Sequence, residues 1–372
     1  MPTNKFYLAF VIGSMKFGGA ERAILNLVNA LCKMGYRIDL VLIDGKGEFL
    51  PLINEEVRVI DLQSKRSLFA FRKFSKYLSK NNPDGVIAIQ NHVQLMVLIC
   101  TIISKYKGKI VLNEQSTFSE NLNGLKGFFQ KGLSKILFPM ADKLITVSEG
   151  VKVDMIRHFP RLTGSMEVIY NPIVATNVSP SANSSLDHPF FNSDKKVIIA
   201  AGRLTKSKNF ELLIKAFRLV NNNDEFHLLI LGDGEERNNL ILLAKKFKID
   251  HFVSLPGFVS DPLTYFSKAD LFVLSSNFEG LPGVLIEALS CGCKIVSTNC
   301  NFGPSEILEN GKYGRLVPVN NVDALAKSIL LALSEKIDPF LLKKRANDFN
   351  IEAISLRYNE FFKKLFETSN NE

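Results

Sequence analysis

The sequence lacks several features that would assign its class at once. It contains no tryptophan, and none of its apolar runs reaches the roughly eighteen residues that are needed to cross a bilayer. The longest run, Val93 to Ile103, suits a buried helix. The apolar stretch Phe6 to Ile12 has no small-residue cleavage site after it, which indicates a first β-strand rather than a signal peptide. Hydrophobic residues make up 46% of the chain, which excludes a disordered protein.

Cysteine is also scarce, with 5 among 372 residues. An odd number without a framework spacing indicates a reducing compartment, so we expect a cytoplasmic protein. Cys291 and Cys293 lie too close together for an ordinary zinc pair, and no Cys or His cluster completes a site. We therefore expect buried free thiols and no metal.

Motifs of several functional classes are missing. The sequence has no P-loop lysine motif, no Gly-x-Ser-x-Gly elbow and no His-Glu-x-x-His, which argues against kinases and hydrolases. A Gly-x-Gly-x-x-Gly with an acidic residue about twenty positions later is absent, which argues against a dehydrogenase. No helix-turn-helix, zinc-finger or RNP signature is present, so we expect no nucleic-acid partner.

The net charge of +9 is distributed unevenly. Residues 1–180 contain 23 Lys and Arg against 14 Asp and Glu, whereas the remainder contains 23 of each kind. The excess therefore lies entirely in the amino-terminal half. A basic half suits an anionic substrate or an anionic membrane surface.

Short apolar runs alternate with longer segments of helical periodicity, such as Ala20–Met34 and Asn209–Val220. This alternation predicts parallel sheets that are covered by helices on both faces. The predicted strands of the first half are Phe6–Ile12, Ile38–Ile43, Gly85–Ile89, Lys109–Leu112 and Lys143–Val147. Those of the second half are Lys196–Ala201, His227–Leu231, Val253–Leu255, Leu271–Ser275 and Lys294–Thr298.

The alternation stops once, in a segment rich in Ser, Asn and Pro, and then restarts. We predict an amino-terminal domain over residues 1–175, a linker over 176–194 and a carboxyl-terminal domain over 195–349. A final Phe-rich helix within 350–372 is expected to return to the first domain and pack at the domain junction. The fold class is α/β, with two doubly wound Rossmann-like domains that face each other across a cleft.

A glycine pair, Gly18 and Gly19, precedes the first long helix. These residues allow a backbone to come close to a ligand, and the start of the helix presents N–H groups to an anion. A tight turn without a ligand is the competing interpretation.

Two cations, Arg203 and Lys208, follow the first strand of the second domain. Because Arg can bind two oxygens and Lys adds a point charge, the pair suits a diphosphate. The competing interpretation is two solvated surface cations.

Two carboxylates, Glu279 and Glu287, flank the start of a predicted helix at Pro282. Carboxylates accept hydrogen bonds from the hydroxyls of sugars and riboses. A capping Glu279 and a surface Glu287 are the alternative, although apolar neighbours surround Glu287 and a buried carboxylate requires a donor.

Together these motifs resemble those of the retaining GT-B glycosyltransferases of the fourth sequence family, also called glycosyl transferases group 1. The resemblance covers nearly the whole chain and is strongest from Ile198 to Ala324. The matching motifs are Gly18-Gly19-Ala20-Glu21, Gly202-Arg203 with Lys208-Asn209, Glu279 with Glu287, Gly303 to Leu308, and Gly311 to Gly314.

The resemblance implies roles for the charged residues. The carboxyl-terminal domain would bind a nucleotide sugar, and Arg203 and Lys208 would neutralise its diphosphate leaving group. Glu279 would hold hydroxyls of the donor sugar, and Glu287 would hold those of the ribose.

It also implies roles for backbone amides. Gly18 and Gly19 would contribute amides from the amino-terminal, acceptor-binding domain. Gly283, Val284 and Leu285 would offer N–H groups to the sugar and the phosphate. Such enzymes usually need no metal, because cations and helix dipoles stabilise the leaving group, and no cofactor is implied.

One residue departs from the family pattern. Many relatives carry a His near the anomeric carbon, whereas here Glu114 stands nearest that position, in the segment Val111 to Ser116. Glu114 is a candidate catalytic residue that would orient the acceptor hydroxyl or pair with a cation. An ordinary loop carboxylate is the alternative.

A segment from Gly124 to Leu144 combines apolar residues at helical spacing with Lys126, Lys131 and Lys135. A basic amphipathic helix of this kind can lie on an anionic membrane, and the charge of this half favours that interpretation. A domain-core helix with solvated lysines is the alternative. Peripheral attachment to the inner face of the cytoplasmic membrane therefore stays open.

The predicted function is a hexosyltransferase that moves a hexose or N-acetylhexosamine and retains the anomeric configuration. UDP is the first choice of nucleotide and GDP the second. The acceptor is a glycan or lipid-linked glycan, in the synthesis of a bacterial surface polysaccharide such as lipopolysaccharide or capsule. The alternatives are a nucleotide-sugar epimerase of the GT-B fold and a non-catalytic nucleotide-sugar-binding protein.

Overall fold

The computed structural model describes residues 6–64, 67–121, 124–175 and 188–367. The chain divides into two compact units. Unit 1 comprises Met1–Ile173 and Ile351–Glu372, and unit 2 comprises Val174–Asn350. Residues 176–187 of the predicted linker lie outside the described residues, and Pro189–Asn192 forms a short 3₁₀ helix.

Unit 1 contains one parallel sheet. Its strands are β1 (Tyr7–Ile12), β2 (Arg37–Leu42), β3 (Arg58–Asp61), β4 (Gly85–Ile89), β5 (Lys109–Glu114), β6 (Lys143–Thr146) and β7 (Met166–Val168). Their order across the sheet is β3-β2-β1-β4-β5-β6-β7, so the direction of winding reverses between β1 and β4. All five residues of β4 are buried, as expected where helices cover both faces of a sheet.

The helices of unit 1 follow the strands in the connections. They are α1 (Gly19–Lys33), α2 (Ser67–Asn81), α3 (Asn91–Ile103), α4 (Phe118–Asn121), α5 (Gly124–Leu137) and α6 (Glu149–His158). In α1 the apolar residues Ile24, Leu27 and Leu31 recur at intervals of three and four and are buried, so this face of the helix packs on the core.

Unit 2 repeats the same plan. Its strands are β8 (Lys196–Ala201), β9 (Phe226–Leu231), β10 (Val253–Gly257), β11 (Leu271–Leu274), β12 (Ile295–Thr298) and β13 (Arg315–Val317). They form a parallel sheet in the order β10-β9-β8-β11-β12-β13, which reverses between β8 and β11. Its helices are α7 (Phe210–Val220), α8 (Arg237–Lys246), α9 (Pro262–Lys268), α10 (Gly283–Ser290), α11 (Pro304–Ile307), α12 (Val322–Ser334) and α13 (Pro339–Ala346).

The last helix, α14 (Ile351–Glu367), belongs to unit 1 and completes its core. Phe362 packs edge-on against Phe10 of β1, with 6.4 Å between the ring centroids. The Tyr36 hydroxyl donates to Oδ1 of Asn359 at 2.9 Å. Burial of one Phe side chain stabilises a fold by about 1.5–3 kcal/mol, so α14 contributes strongly to unit 1.

Each strand predicted from the sequence is present within two residues of its predicted limits. The edge strands β3, β7 and β13 were not predicted. Three of the four residues of β3 are exposed, so this strand has no apolar run to reveal it.

The amphipathic segment predicted as far as Leu144 is shorter in the structure. Helix α5 ends at Leu137, because Pro139 starts a 3₁₀ turn and Lys143 already belongs to β6. Across the described parts of the chain, no helix is both long and apolar enough to span a membrane.

Candidate functional site

The carboxyl ends of β8 and β11 mark the point where the sheet of unit 2 reverses its winding. Ligands of doubly wound sheets bind at such a switch point. The loop after β8 contains Arg203 and Lys208, and the loop after β11 contains Glu279. Two segments that lie about seventy residues apart in the sequence therefore meet at one edge.

Lys208 and Glu279 form an ion pair at this edge. Nζ of Lys208 lies 2.5 Å from Oε1 of Glu279, and the two side chains are 25% and 10% exposed. The Ser276 hydroxyl donates to the same Oε1 at 2.6 Å. The structure thus brings together Lys208, which is predicted to bind phosphate, and Glu279, which is predicted to bind sugar hydroxyls.

A set of short polar contacts fixes the Lys208 loop against the Glu279 loop. Asn209 has a left-handed backbone with φ of 46°, and its Oδ1 accepts from the Leu212 amide at the start of α7. Its Nδ2 donates to Oδ1 of Asn277 at 2.9 Å and to Oδ1 of Asn320 at 3.0 Å. Ser275 donates to the carbonyl of Lys208 at 2.9 Å. These contacts fix the backbone of Lys208 in its loop. Its side chain extends from there, so that the ammonium group lies at the carboxyl edge of the sheet.

Arg203 stands at the start of the same loop. It follows Gly202, whose φ of 153° is in the range that favours glycine. The Arg203 side chain is exposed beyond the end of β8. Its position at the switch point matches the predicted one.

Helix α10 begins at Gly283, directly after the cap residue Pro282, and carries the half-buried Glu287 on its second turn. The Leu285 amide donates to the carbonyl of Pro282 at 3.0 Å, so it is already engaged. A contribution of this amide to a ligand, as predicted, would require that hydrogen bond to be shared or broken. The amides of Gly283 and Val284 begin the helix, where N–H groups have no acceptor within the helix itself.

Gly303 supports the start of α10 from behind. Its φ is 86°, and a Cβ atom there would lie 2.6 Å from Cδ of Pro282 and 2.8 Å from the carbonyl oxygen of Gly280. Only glycine fits a backbone of this shape at so close an approach. The motif from Gly303 to Leu308, noted in the sequence, therefore packs against the backbone that connects Glu279 to α10.

In unit 1 the glycine pair lies at the switch point between β1 and β4. Gly18 caps α1 with an extended backbone, and Gly19 is the first residue of the helix. A Cβ atom on Gly19 would meet no atom within 4 Å. Neither packing nor backbone shape therefore requires glycine at 19, and open space surrounds the start of α1 at this position.

Glu114 ends β5 and is buried, with 3% of its surface exposed. Its Oε2 has no hydrogen-bond partner among the described residues. Burial raises the pKa of Glu114 from an ordinary 4.5 to about 8, and hydrogen bonds from Gln94 and nearby amides oppose this effect only in part. The side chain is therefore protonated at neutral pH and can donate a hydrogen bond.

Sequence reasoning missed the polar residues that support this site. Ser276, Asn277 and Asn320 contact Glu279 or Asn209, but isolated Ser and Asn residues in loops carry no signal. Asn209 was part of a matched motif without an assigned role. Its position before a helix is typical of an N-cap, which was an available signal.

Two family models match the chain. The Glycosyltransferase Family 4 model matches residues 17–176, and the Glycosyl transferases group 1 model matches residues 184–353. Together the two matches account for most of the sequence.

Curated relatives match over most of their length. One is the N-acetylgalactosamine-N,N'-diacetylbacillosaminyl-diphospho-undecaprenol 4-alpha-N-acetylgalactosaminyltransferase of Campylobacter jejuni, which is 28% identical over 338 residues. That match covers 88% of this chain and 90% of the relative. The amylovoran biosynthesis glycosyltransferase AmsD of Erwinia amylovora is 26% identical and is covered to 84%, with 82% of this chain matched.

Solved structures share the fold. HepE of Anabaena in complex with UDP-glucose superposes with a TM-score of 0.82 at 20% identity, over 96% of this chain and 100% of that one. WaaG, a glycosyltransferase involved in lipopolysaccharide biosynthesis, gives a TM-score of 0.74 at 14% identity, over 95% of this chain and 99% of WaaG. The prediction of two doubly wound α/β domains of the GT-B type is confirmed.

Proposed function

Because the chain belongs to the family 4 glycosyltransferases, we propose that it transfers a hexose or N-acetylhexosamine from a UDP-sugar to a lipid-linked glycan, with retention of the anomeric configuration. The observation that carries this proposal is the Lys208–Glu279 pair at the switch point of unit 2. One member suits a diphosphate and the other a sugar hydroxyl. The relatives named above include an enzyme whose name specifies an undecaprenol-linked acceptor.

Lys208 is prepared for an anionic ligand. Its ammonium group is already desolvated in part and is held at the carboxyl edge of the sheet by Glu279. Lys208 and Arg203 then stabilise the negative charge that develops on the leaving UDP. The approach of the diphosphate draws Lys208 away from Glu279, whose carboxylate becomes available to hydroxyls of the donor sugar.

Backbone amides complete the binding of anionic groups. Gly283 and Val284 at the start of α10, and Gly18 and Gly19 at the start of α1, present N–H groups where a helix dipole favours negative charge. Glu287, one turn into α10, is assigned to the ribose hydroxyls. Glu114 in its protonated form would donate a hydrogen bond to an oxygen of the sugar or the acceptor.

The test is a transfer assay with defined substrates. The purified protein is incubated with UDP-glucose, UDP-galactose and their N-acetyl forms, with and without a polyprenyl-diphosphate-linked N-acetylhexosamine. We expect release of UDP that depends on the acceptor, and NMR of the product should show a retained α-anomer. Turnover of the nucleotide sugar without an acceptor would indicate an epimerase, and binding without turnover would indicate a non-catalytic protein.

We expect this transfer to persist in excess EDTA. Among residues of known placement, no group of three or more His, Cys, Asp or Glu side chains is arranged to hold a metal ion. The cations and helix starts described above would stabilise the leaving group instead. Complete loss of UDP release in EDTA, with recovery on addition of magnesium or manganese, would contradict this prediction.

Helix α5 is proposed as the surface that meets the membrane. Phe129, Leu133 and Ile136 recur along this helix at intervals of four and three and are 73%, 39% and 72% exposed. Met140, in the 3₁₀ turn that follows, is 43% exposed. Lys135 is exposed between them, whereas Lys131 donates to the carbonyl of Ser119. The side chains of Lys126 and Phe128 lie outside the described residues. An exposed apolar stripe with lysines beside it suits an anionic lipid surface.

Replacing Phe129 and Ile136 with serine should abolish sedimentation of the protein with phosphatidylglycerol liposomes. Replacing Lys126, Lys131 and Lys135 with glutamate should weaken binding by about two orders of magnitude, because each lysine contributes to attraction by anionic lipid. High salt should weaken wild-type binding as well.

The matched control is a variant with Phe340 and Leu242 changed to serine. These side chains are 68% and 64% exposed on unit 2, so the change removes a comparable apolar surface elsewhere. If the α5 variants bind anionic liposomes as well as the wild type does, or if the wild type does not bind them, α5 is a surface helix without this role. A water-soluble acceptor would then be favoured.

A further inference from the structure

The glycine loop of unit 1, defined here as residues 13–19, leaves β1 at the switch point of its sheet. Gln90 directly follows β4, which is the strand next to β1 at this switch point. We propose that Gln90 is a positioning residue, which holds the glycine loop in the shape that receives a phosphate group of the substrates. This inference rests on the proposed function, since it assigns the amides of Gly18 and Gly19 to an anion.

The backbone of Gln90 is strained. Its φ is 70° and its ψ is 134°, a combination that residues with a side chain rarely adopt. Such a backbone is unfavourable and persists only where the surroundings determine it. Glycine would adopt the same shape at no steric cost, so the presence of glutamine indicates that the side chain itself has a use.

The side chain of Gln90 touches both ends of the glycine loop. Its Nε2 donates to Oε1 of Glu21, in the first turn of α1, at 3.0 Å. Its Oε1 covers Gly13, where a Cβ atom would lie only 2.9 Å from that oxygen. One amide group therefore links the end of β1, the start of α1 and the end of β4.

The middle of the loop is held independently. The Met15 amide donates to the carbonyl of Lys46 at 2.9 Å, and the Phe49 amide donates to the carbonyl of Met15 at 3.0 Å. Residues 16–19 thus lie between Met15 and Glu21, and within them the Phe17 amide donates to Oε2 of Glu48 at 3.1 Å. Glu21 lies in the first turn of α1, so its hydrogen bond to Gln90 fixes the start of this helix, and with it the amides of Gly18 and Gly19, relative to the end of β4.

Three variants test this role. Gln90→Ala removes the link, and a double variant with Gln90→Glu and Glu21→Gln exchanges donor and acceptor and so restores it. Gln63→Ala is the matched control, because Gln63 is another glutamine of unit 1 with a positive φ, of 47°, and lies after β3 away from the switch point. Each variant is measured by thermal unfolding, by hydrogen exchange of the hydrogen-bonded loop amides of Met15 and Phe17, and by UDP release.

In Gln90→Ala we expect the loop amides to exchange hydrogen at least about tenfold faster than in the wild type. The Tm of this variant should stay near that of Gln63→Ala. Its kcat should fall about 10- to 100-fold, because a small misplacement of binding groups is costly, while the KM for the UDP-sugar changes less than about threefold. The exchanged double variant should recover both the slow exchange and most of the rate.

Unchanged hydrogen exchange of the loop amides in Gln90→Ala would overturn the proposal. So would a rate of UDP release that falls in both the Gln90 and the Gln63 variants only in proportion to the loss of Tm. A wild type that transfers no sugar from any of the UDP-sugars would refute the proposed function instead. The exchange of the loop amides would still decide whether Gln90 positions the loop.

Discussion

Replacing Lys208 with alanine should lower turnover by about two to three orders of magnitude, as the loss of one charge contact to a developing anion does in other enzymes. Arg203→Ala should have an effect of similar size. The measurement is UDP release at saturating UDP-sugar and acceptor. Affinity for UDP, measured by calorimetry, should fall as well, because the diphosphate loses its partner in the ground state.

Lys206→Ala is the matched control, since Lys206 is exposed in the same loop and should leave turnover unchanged. Lys208→Ala also leaves the Glu279 carboxylate without its cation, which should destabilise the fold by about 1–3 kcal/mol. Adding Glu279→Gln should restore that stability but not the turnover. Wild-type turnover in a variant that lacks both Arg203 and Lys208 would refute the diphosphate site.

Replacing Glu114 with glutamine should stabilise the protein, and the gain should grow with pH. The pKa of Glu114 is about 8 in the folded protein and near 4.5 when the side chain is exposed to water. Its contribution to stability is thus complete below pH 4.5 and is lost as the pH rises through about 8, because folding then requires uptake of a proton. A shift of this size corresponds to roughly 5 kcal/mol. Urea denaturation at pH 4.5 and pH 8.5 measures the difference.

Glu55→Gln serves as the control, since Glu55 is an exposed carboxylate of the same unit. Equal effects of Glu114→Gln at both pH values would mean that Glu114 is ionised in the folded protein. If protonated Glu114 donates a hydrogen bond to a substrate, the glutamine variant should keep part of its activity, because an amide N–H also donates.

The central strands were predictable because burial on both faces demands continuous apolar runs, as in Gly85–Ile89 and Lys196–Ala201. The edge strands β3, β7 and β13 were not predicted, although the edge strand β10 was, because an edge has one neighbour and tolerates polar residues, as Arg58 and Asp61 of β3 illustrate. The end of α5 was predicted too late, since helical spacing alone continued through Pro139 into the next strand.

The site was predictable only as separate motifs. The sequence indicated that Lys208 and Glu279 serve one ligand, but their direct contact depends on the order of β8 and β11 in the sheet. The role of Gln90 was not predictable at all, because it arises from a backbone angle and from a contact with Glu21 across 69 residues. Burial likewise determines the protonation of Glu114, and no local pattern reveals how deeply a strand end is covered.

The return of α14 to unit 1 has a consequence for synthesis on the ribosome. The residues that pack against Phe10 and Tyr36 are translated after the whole of unit 2. Unit 2 is continuous in sequence and can fold as it emerges, whereas unit 1 must wait with part of its apolar core uncovered. The amino-terminal half of the chain is therefore the last to reach its native state. A chain that terminates just before residue 351 would contain all of unit 2 but would lack part of the core of unit 1.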